Sequence, residues 1–312
     1  MFRNSRLVLV VVALATFFQS CKDRAGGGDF DKTASGLEYK MFTQAQDGSY
    51  ERKTPADVVA DTAQLSERIG QIMTLRMKYT NSEDSVLFST YERNMPVQVE
   101  MMRSPVKGSI EEAFLMLTPG DSAVFKINAD SLFANTFQQP RPPFIKEGSD
   151  LTFNLKAVTL QSKEQAMADF QTLMKARYDE QMGKDEEQIK AYLAEQGVTA
   201  ERTPSGVYYV INKKGSGKQP QPGSMVSVHY TGTTLDGNVF DSSRKDDREP
   251  LSFPLGRGAV IQGWDEGIGA LREGDQAVLI IPSPLAYGEE ARGPDMPANS
   301  ILRFEVELLS VQ

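Results

Sequence analysis

Tyr230, Phe240, Asp241, Val260, Ile261, Trp264, Tyr287 and Phe304 are the residues whose types and order suggest a site. Most are aromatic, and only one carries charge. A pocket lined this way binds something apolar and orients it with one or two hydrogen bonds. Other chemistries lack their parts. The chain has one histidine, His229, and one cysteine, Cys21. His229 lies between Val228 and Tyr230 in an alternating run and so points to the opposite face from both. A hydroxyl nucleophile activated by histidine therefore has no good candidate. No cluster has metal-ligand spacing and no Gly-rich loop has phosphate-cradle spacing. Neither a metal nor a cofactor is expected, and Asp241 is not assigned as a general base.

The elements that must position these residues are short strands and one helix. Val226, Val228 and Tyr230 alternate with polar residues, as do Leu302, Phe304, Val306 and Leu308, which is the period of a half-buried strand. Asp236-Gly237 is a hairpin signal. After Gly263, Trp264, Ile268 and Leu271 fall at i, i+4 and i+7. That face belongs against a sheet, with Gly274 ending the turn.

The runs Val228-His-Tyr230-Thr-Gly232, Gly237-Asn-Val-Phe240-Asp241-Ser-Ser, Val260-Ile-Gln-Gly263-Trp264, Ala286-Tyr287-Gly288 and Phe304-Glu-Val-Glu-Leu308 stand in order over about a hundred residues. Together they resemble an FKBP-type peptidyl-prolyl cis-trans isomerase. The resemblance implies an α+β fold, a curved antiparallel sheet wrapped around a short helix. It also implies roles. Trp264 forms the pocket floor, and Phe304 helps shape the proline slot. Tyr230, Phe240, Val260 and Ile261 line it. The Tyr287 hydroxyl and the Ile261 amide orient the substrate. Asp241 either holds a polar wall through a hydrogen bond or faces the twisting carbonyl. Leu251 stands where well-studied members carry an aromatic wall residue. The loop after Tyr287, which reaches Met296, is more polar than in those members. Leu251 and Met296 are thus implied as substrate-binding positions that set preference.

Across 312 residues with a net charge of −8, two domains are a reasonable prior and a nucleic-acid partner is disfavoured. Arg3 and Arg6 precede an apolar run over residues 7–18, too short for a stable membrane span. Gln19-Ser20-Cys21 follows. A small residue before the only cysteine resembles a lipoprotein processing site, making residues 1–21 a signal segment with Cys21 lipidated. An ordinary secretory signal with an incidental cysteine is the alternative. Lys22 after the cysteine, by resemblance to enteric lipoproteins, favours a lipid anchor on the outer membrane of a bacterial envelope, facing the periplasm. Residues 22–32 read as a flexible tether. One lipidated thiol leaves none for disulfides.

A second, worn copy precedes the first-described one. Thr33-Ala-Ser-Gly36 parallels Thr203-Pro-Ser-Gly206, Leu117-Thr-Pro-Gly120-Asp121 parallels Leu271-Arg-Glu-Gly274-Asp275, and Leu151-Thr-Phe153 parallels Leu302-Arg-Phe304. Ordered matches at similar spacing indicate a repeated domain. The division expected is residues 33–161 for a degenerate copy, 162–202 for a helical linker and 203–312 for the isomerase domain. A gapped alignment sets Ser89 against Asp241, Phe88 against Phe240, Ile110 against Trp264 and Phe133 against Tyr287. The first domain is then expected to be inactive. Residues 55–68 read as a helical insertion, either a tolerated surface element or a partner-binding one.

In the linker, Ser162-Lys-Glu-Gln165 is a capping box opening one helix. Asp185-Glu-Glu-Gln188 opens a second, stopped by Gly197. Met167, Phe170, Met174 and Tyr178 recur at helical spacing. Core packing, a homodimer seam through the linker or first domain, and a groove for unfolded clients all suit such a stripe. Two functions compete: an isomerase acting on proline-containing unfolded or exported polypeptides, and a non-catalytic peptide-binding chaperone.

Overall fold

Alternation in the sequence becomes alternation in burial along the strands. The computed structural model describes residues 29–62, 65–92, 94–103, 106–245 and 248–312. Arg3, the apolar run and Cys21 lie outside the described residues. Contacts divide the chain into two units at Ala168–Asp169. Among the described residues, no helix is long and apolar enough to cross a membrane.

The first unit contains β1 (Asp31–Lys32), β2 (Glu38–Gln44), β3 (Tyr50–Arg52), α1 (Pro55–Thr62), α2 (Leu65–Arg68), β4 (Ile72–Thr80), β5 (Val86–Ser89) and β6 (Val97–Glu100). Then come α3 (Ile110–Met116), β7 (Asp121–Asn128), α4 (Ala129–Ser131), a π-turn over Leu132–Phe137, and β8 (Asp150–Gln161). The sheet order is β1-β2-β7-β8-β4-β5, with β3 on β2 and β6 on β4, and every pairing is antiparallel. Met41, Met73, Leu75, Phe125 and Leu151 are buried on one face of this sheet, against Ile110, Ala113 and Met116 of α3. The expected insertion is α1 and α2. Thr54 and Asp57 cap α1 reciprocally, and Val58 is buried in the core, so this insertion is anchored.

The next element is α5 (Lys163–Glu195), a single helix of 33 residues. Ser162 Oγ accepts the Gln165 N–H at 3.3 Å, as its capping box requires. The expected break at Asp185 is absent. Gln, Glu, Lys and Met dominate the sequence there, and these good helix formers carry α5 through Gly183 without a break. The pairs Lys175–Asp179, Glu180–Lys184 and Glu186–Lys190 support it at i, i+4. It ends where expected. Gly197 takes φ +63°, with its N–H on Ala194 and the Val198 N–H on Leu193. This is a Schellman closure. Met167, Met174 and Tyr178 are exposed.

The second unit continues with β9 (Glu201–Arg202), β10 (Tyr208–Lys213), β11 (Met225–Thr234), β12 (Val239–Ser242), β13 (Leu251–Pro254), α6 (Gln262–Gly269), β14 (Gln276–Ile281), a 3-10 turn at Ser283–Leu285, and β15 (Leu302–Val311). Its order is β12-β11-β15-β14-β10-β9, with β13 on β11, again antiparallel throughout. Gly237 turns the β11–β12 hairpin at φ +91°. One face holds α6. The other takes the C-terminal half of α5, where Ile189 and Leu193 pack with Tyr208, Ile280 and Ile301. The fold is thus α+β, two antiparallel sheets each carrying a short core helix.

Candidate active site

Trp264 reaches the core because α6 lies unusually close to its sheet. A Cβ at Gly263 would stand 2.2 Å from Ile281, and one at Gly267 would stand 2.7 Å from Leu279. Only glycine permits that approach. Trp264 is 3 % exposed. Its ring meets Tyr230 edge-on at 5.0 Å and Phe304 at 5.2 Å, and lies tilted against Phe253 at 5.8 Å. Phe240 meets Phe304 edge-on at 5.6 Å. Edge-to-face pairs of this kind each add about 0.5–1.5 kcal/mol beyond area burial.

The strand register makes this cluster. Tyr230 stands opposite Val306, and Gly232 opposite Phe304, so all four belong to one face. Gly232 leaves that face bare. A Cβ there would come within 2.7–2.8 Å of Phe240 and Phe304. Only glycine at this position lets the Phe240 and Phe304 rings close over the strand, a feature that residue types alone did not single out.

Asp241 sits at the polar edge. Tyr230 donates its hydroxyl to Asp241 Oδ2 at 2.5 Å, and Arg248 donates to Oδ1 at 2.9 Å. The Ser242 N–H also donates to Oδ1. Arg248 was not singled out by the sequence reading. An arginine in a charged loop gives no signal until the loop folds over the carboxylate. Burial pushes the Asp241 carboxyl up, but the hydrogen bonds from Tyr230, Ser242 and Arg248 together outweigh it and hold it low. Burial, followed by the bond to Asp241, pushes the Tyr230 phenol up to about 12. A lowered carboxyl contributes stability above its unfolded pKa and loses it as pH falls through the folded value. A raised phenol contributes below its unfolded pKa and loses it as pH rises through about 12. Neither group changes charge near neutrality. Activity is therefore expected to be flat between about pH 5 and pH 9. A pH series of kcat/KM checks this, and a bell within that window would expose a titrating group at the reaction centre.

The open side is formed by Val260 and Ile261, both half-buried, and by Tyr287, 37 % exposed. Tyr287 is close enough to bear electrostatically on Tyr230. The Arg292 guanidinium lies over its ring at 4.7 Å. Among the described residues, the Tyr287 hydroxyl and the Ile261 N–H find no partner, so both remain donors toward the cleft. Ile261 is the extended N-cap of α6, which directs its amide away from the helix. Leu251 lies on β13 opposite Val228 and is exposed, and none of the ring contacts involves it. Met296 is buried within the same core cluster as Trp264.

His229 lies on the face of β11 opposite Val228 and Tyr230, as its place in the alternating run requires. It is half-buried rather than solvated, and its Nδ1 lies 3.0 Å from Ser243 Oγ. Ser243 is buried, and its hydroxyl also accepts the Tyr230 N–H at 2.8 Å. The pair ties β11 to the turn after β12.

Residues 216–309 match the family model for FKBP-type peptidyl-prolyl cis-trans isomerases. FK506-binding protein 1 of Dictyostelium discoideum is 46% identical over 105 residues, 34% of this chain and 97% of that protein. Peptidyl-prolyl cis-trans isomerase Fkbp12 of Drosophila melanogaster is 47% identical over 108 residues, 34% of this chain and 99% of that protein. The chain belongs to the FKBP-type peptidyl-prolyl cis-trans isomerase family. It is also similar to the isomerase FkpA of Aeromonas hydrophila, 42% identical over 153 residues, 48% of this chain and 55% of that protein. The match thus spans about half the length of this relative.

The first unit repeats the FKBP-like sheet with a different face. Tyr79 stands opposite Phe153 and Phe88, as Gly232 stands opposite Phe304 and Asp241. Met77 receives the Thr90 N–H where Tyr230 receives that of Ser243. Phe88 therefore takes the place of Asp241, Leu87 that of Phe240, and Ser89 that of Ser242. The gapped alignment was one residue off on this strand, and a one-residue slip exchanges its two faces. The Tyr79 ring stacks on Phe153 at 4.7 Å and on Phe88 at 5.6 Å. In the second unit the equivalent position is Gly232, and the Phe240 and Phe304 rings close over it instead.

Proposed function

We propose that residues 203–312 catalyse cis-trans isomerisation of X-Pro bonds in unfolded or exported polypeptides, through Tyr230, Phe240, Asp241, Trp264, Tyr287 and Phe304. One observation carries this reading: the edge-on cluster of Tyr230, Phe240 and Phe304 built on buried Trp264, together with two donors that have no partner among the described residues, the Tyr287 hydroxyl and the Ile261 amide. Rotation about a peptide bond faces a barrier of roughly 18–20 kcal/mol because resonance stiffens it. No bond breaks, so neither nucleophile nor metal is needed. In the rotated state resonance is lost and the carbonyl is less polar. An apolar cleft then favours that state over the planar amide. Each tenfold in rate requires only about 1.4 kcal/mol of such preference. The Asp241–Arg248 pair holds the Tyr230 hydroxyl in place and presents a polar wall to the carbonyl. Val260 and Ile261 line the slot, while Leu251 and Met296 tune what precedes or follows the proline.

The test is catalysis of proline-limited refolding by the soluble chain. A non-catalytic chaperone is the second reading. It is favoured if Trp264→Ala and Tyr287→Phe leave refolding rates unchanged while impairing prevention of client aggregation.

The first domain is proposed to be a degenerate copy that holds clients or spaces the active one. Tyr79, which stands where the second unit has Gly232 and stacks on Phe153 and Phe88, supports this. Residues 33–161, which carry their own core, are expected to give no acceleration of refolding above background. Measurable catalysis by that fragment would refute the assignment.

The N-terminal pattern ending at Cys21 supports a lipid-anchored envelope protein facing the periplasm, and mass measurement of the N-terminal peptide tests it. The exposed Met167, Met174 and Tyr178 support a homodimer seam along α5, which sedimentation of the soluble chain would test.

A further inference from the structure

Asp185 was read from sequence as a helix opener, yet it lies inside α5 with a fully buried carboxyl group. Burying such a group is costly unless its oxygens are bonded. Here both are. Oδ1 accepts from Gln181 Nε2 at 2.6 Å, and Oδ2 accepts the Ser283 N–H at 2.6 Å. Ser283 opens the 3-10 turn that leads to Tyr287. Its carbonyl in turn accepts the N–H of Ala286 at 2.9 Å and of Gly288 at 2.8 Å. The Ser283 peptide therefore holds the backbone on both sides of Tyr287. Eight residues earlier along α5, Arg177 pairs with Glu289, two residues past Tyr287. The helix is seated on the sheet by Ile189 and Leu193, so both anchors are fixed to a rigid body.

We infer that Asp185 is a positioning residue for Tyr287, assisted by Arg177. The helix joining the two domains is then a working part of the isomerase site, since it sets where the Tyr287 hydroxyl stands. The inference rests on the isomerase reading above. Loss of the carboxylate would free Ser283 and let the Tyr287 hydroxyl drift from its donor position, and a misplacement of this kind lowers rate by much more than it weakens binding.

The test uses the full soluble chain well below its melting temperature. Asp185→Ala is expected to lower kcat for proline-limited refolding about tenfold with little change in KM. Asp185→Asn, which keeps an oxygen acceptor for the Ser283 N–H, should return it to within about twofold of wild type. The double variant Asp185→Ala/Tyr287→Phe should be no slower than Tyr287→Phe alone, because both act through one hydroxyl. Amide exchange at Ser283 and Gly288 should quicken in Asp185→Ala and not in Asp185→Asn. If Asp185→Ala does not fold, Glu289→Gln breaks the surface anchor instead, and its smaller loss should also vanish in the Tyr287→Phe background. Wild-type kcat in Asp185→Ala, or losses that multiply with that of Tyr287→Phe, would overturn the inference. If the wild-type chain catalyses nothing, the isomerase reading fails. The exchange experiment then still decides whether Asp185 orders the loop.

Discussion

Trp264→Ala is expected to destabilise the second domain by about 3–5 kcal/mol and to reduce kcat/KM by at least about 100-fold. The two effects have separate causes. Stability falls because a ring 3 % exposed is removed from contact with Tyr230, Phe253 and Phe304. The helix cannot sink further to close the gap, since the glycines at 263 and 267 already place α6 against Ile281 and Leu279. Activity falls, on the proposed function, because the ring on which Tyr230 and Phe304 are built is gone, leaving a prolyl ring with no surface to rest on. Urea denaturation reads the first effect, and refolding kinetics at low denaturant read the second. Trp264→Phe separates them, since it restores much of the apolar volume and should recover more stability than rate. Near-normal catalysis in Trp264→Ala would remove this ring from the site.

Gly232→Ala is expected to cost about 1–3 kcal/mol in stability, as overpacking does, and about 30-fold or more in kcat/KM. The added methyl would lie 2.7 Å from Phe240 and 2.8 Å from Phe304, so at least one of those rings must leave its place in the cluster. The first domain shows an end point of that change. Its Tyr79 occupies the equivalent register and stacks on both neighbouring rings. A second substitution, Phe240→Leu, should relieve part of the crowding and raise the activity of Gly232→Ala, although the same change slows the parent chain. Catalysis in Gly232→Ala equal to wild type would mean that the placement of these two rings does not set the site.

The two predictions bear on different kinds of information. Trp264 could be chosen from sequence because its neighbours at i+4 and i+7 are apolar and glycine precedes it. Gly232 could not, since a glycine in a strand has many explanations and only the rings across from it give this one a purpose.

What the sequence by itself determined is whatever depends on local periodicity and backbone preference. Alternation placed β11 and β15, Asp236-Gly237 placed the β11–β12 hairpin turn, the spacing of Trp264 and Ile268 placed α6, and Gly197 placed the end of α5. The set of ring residues was legible for the same reason, since each carries its chemistry in its own side chain. The tertiary structure decided what depends on partners distant in the chain. It set β5 one residue away from its aligned place, because pairing is chosen by the whole hydrophobic face and not by the best-matching phenylalanine. It joined Arg248 to Asp241 and His229 to Ser243. It also turned Asp185 from a helix opener into a buried anchor. A carboxylate near a run of glutamates looks the same in sequence whether its oxygens meet its own helix or a backbone amide nearly a hundred residues away, and only the fold brings Ser283 to it.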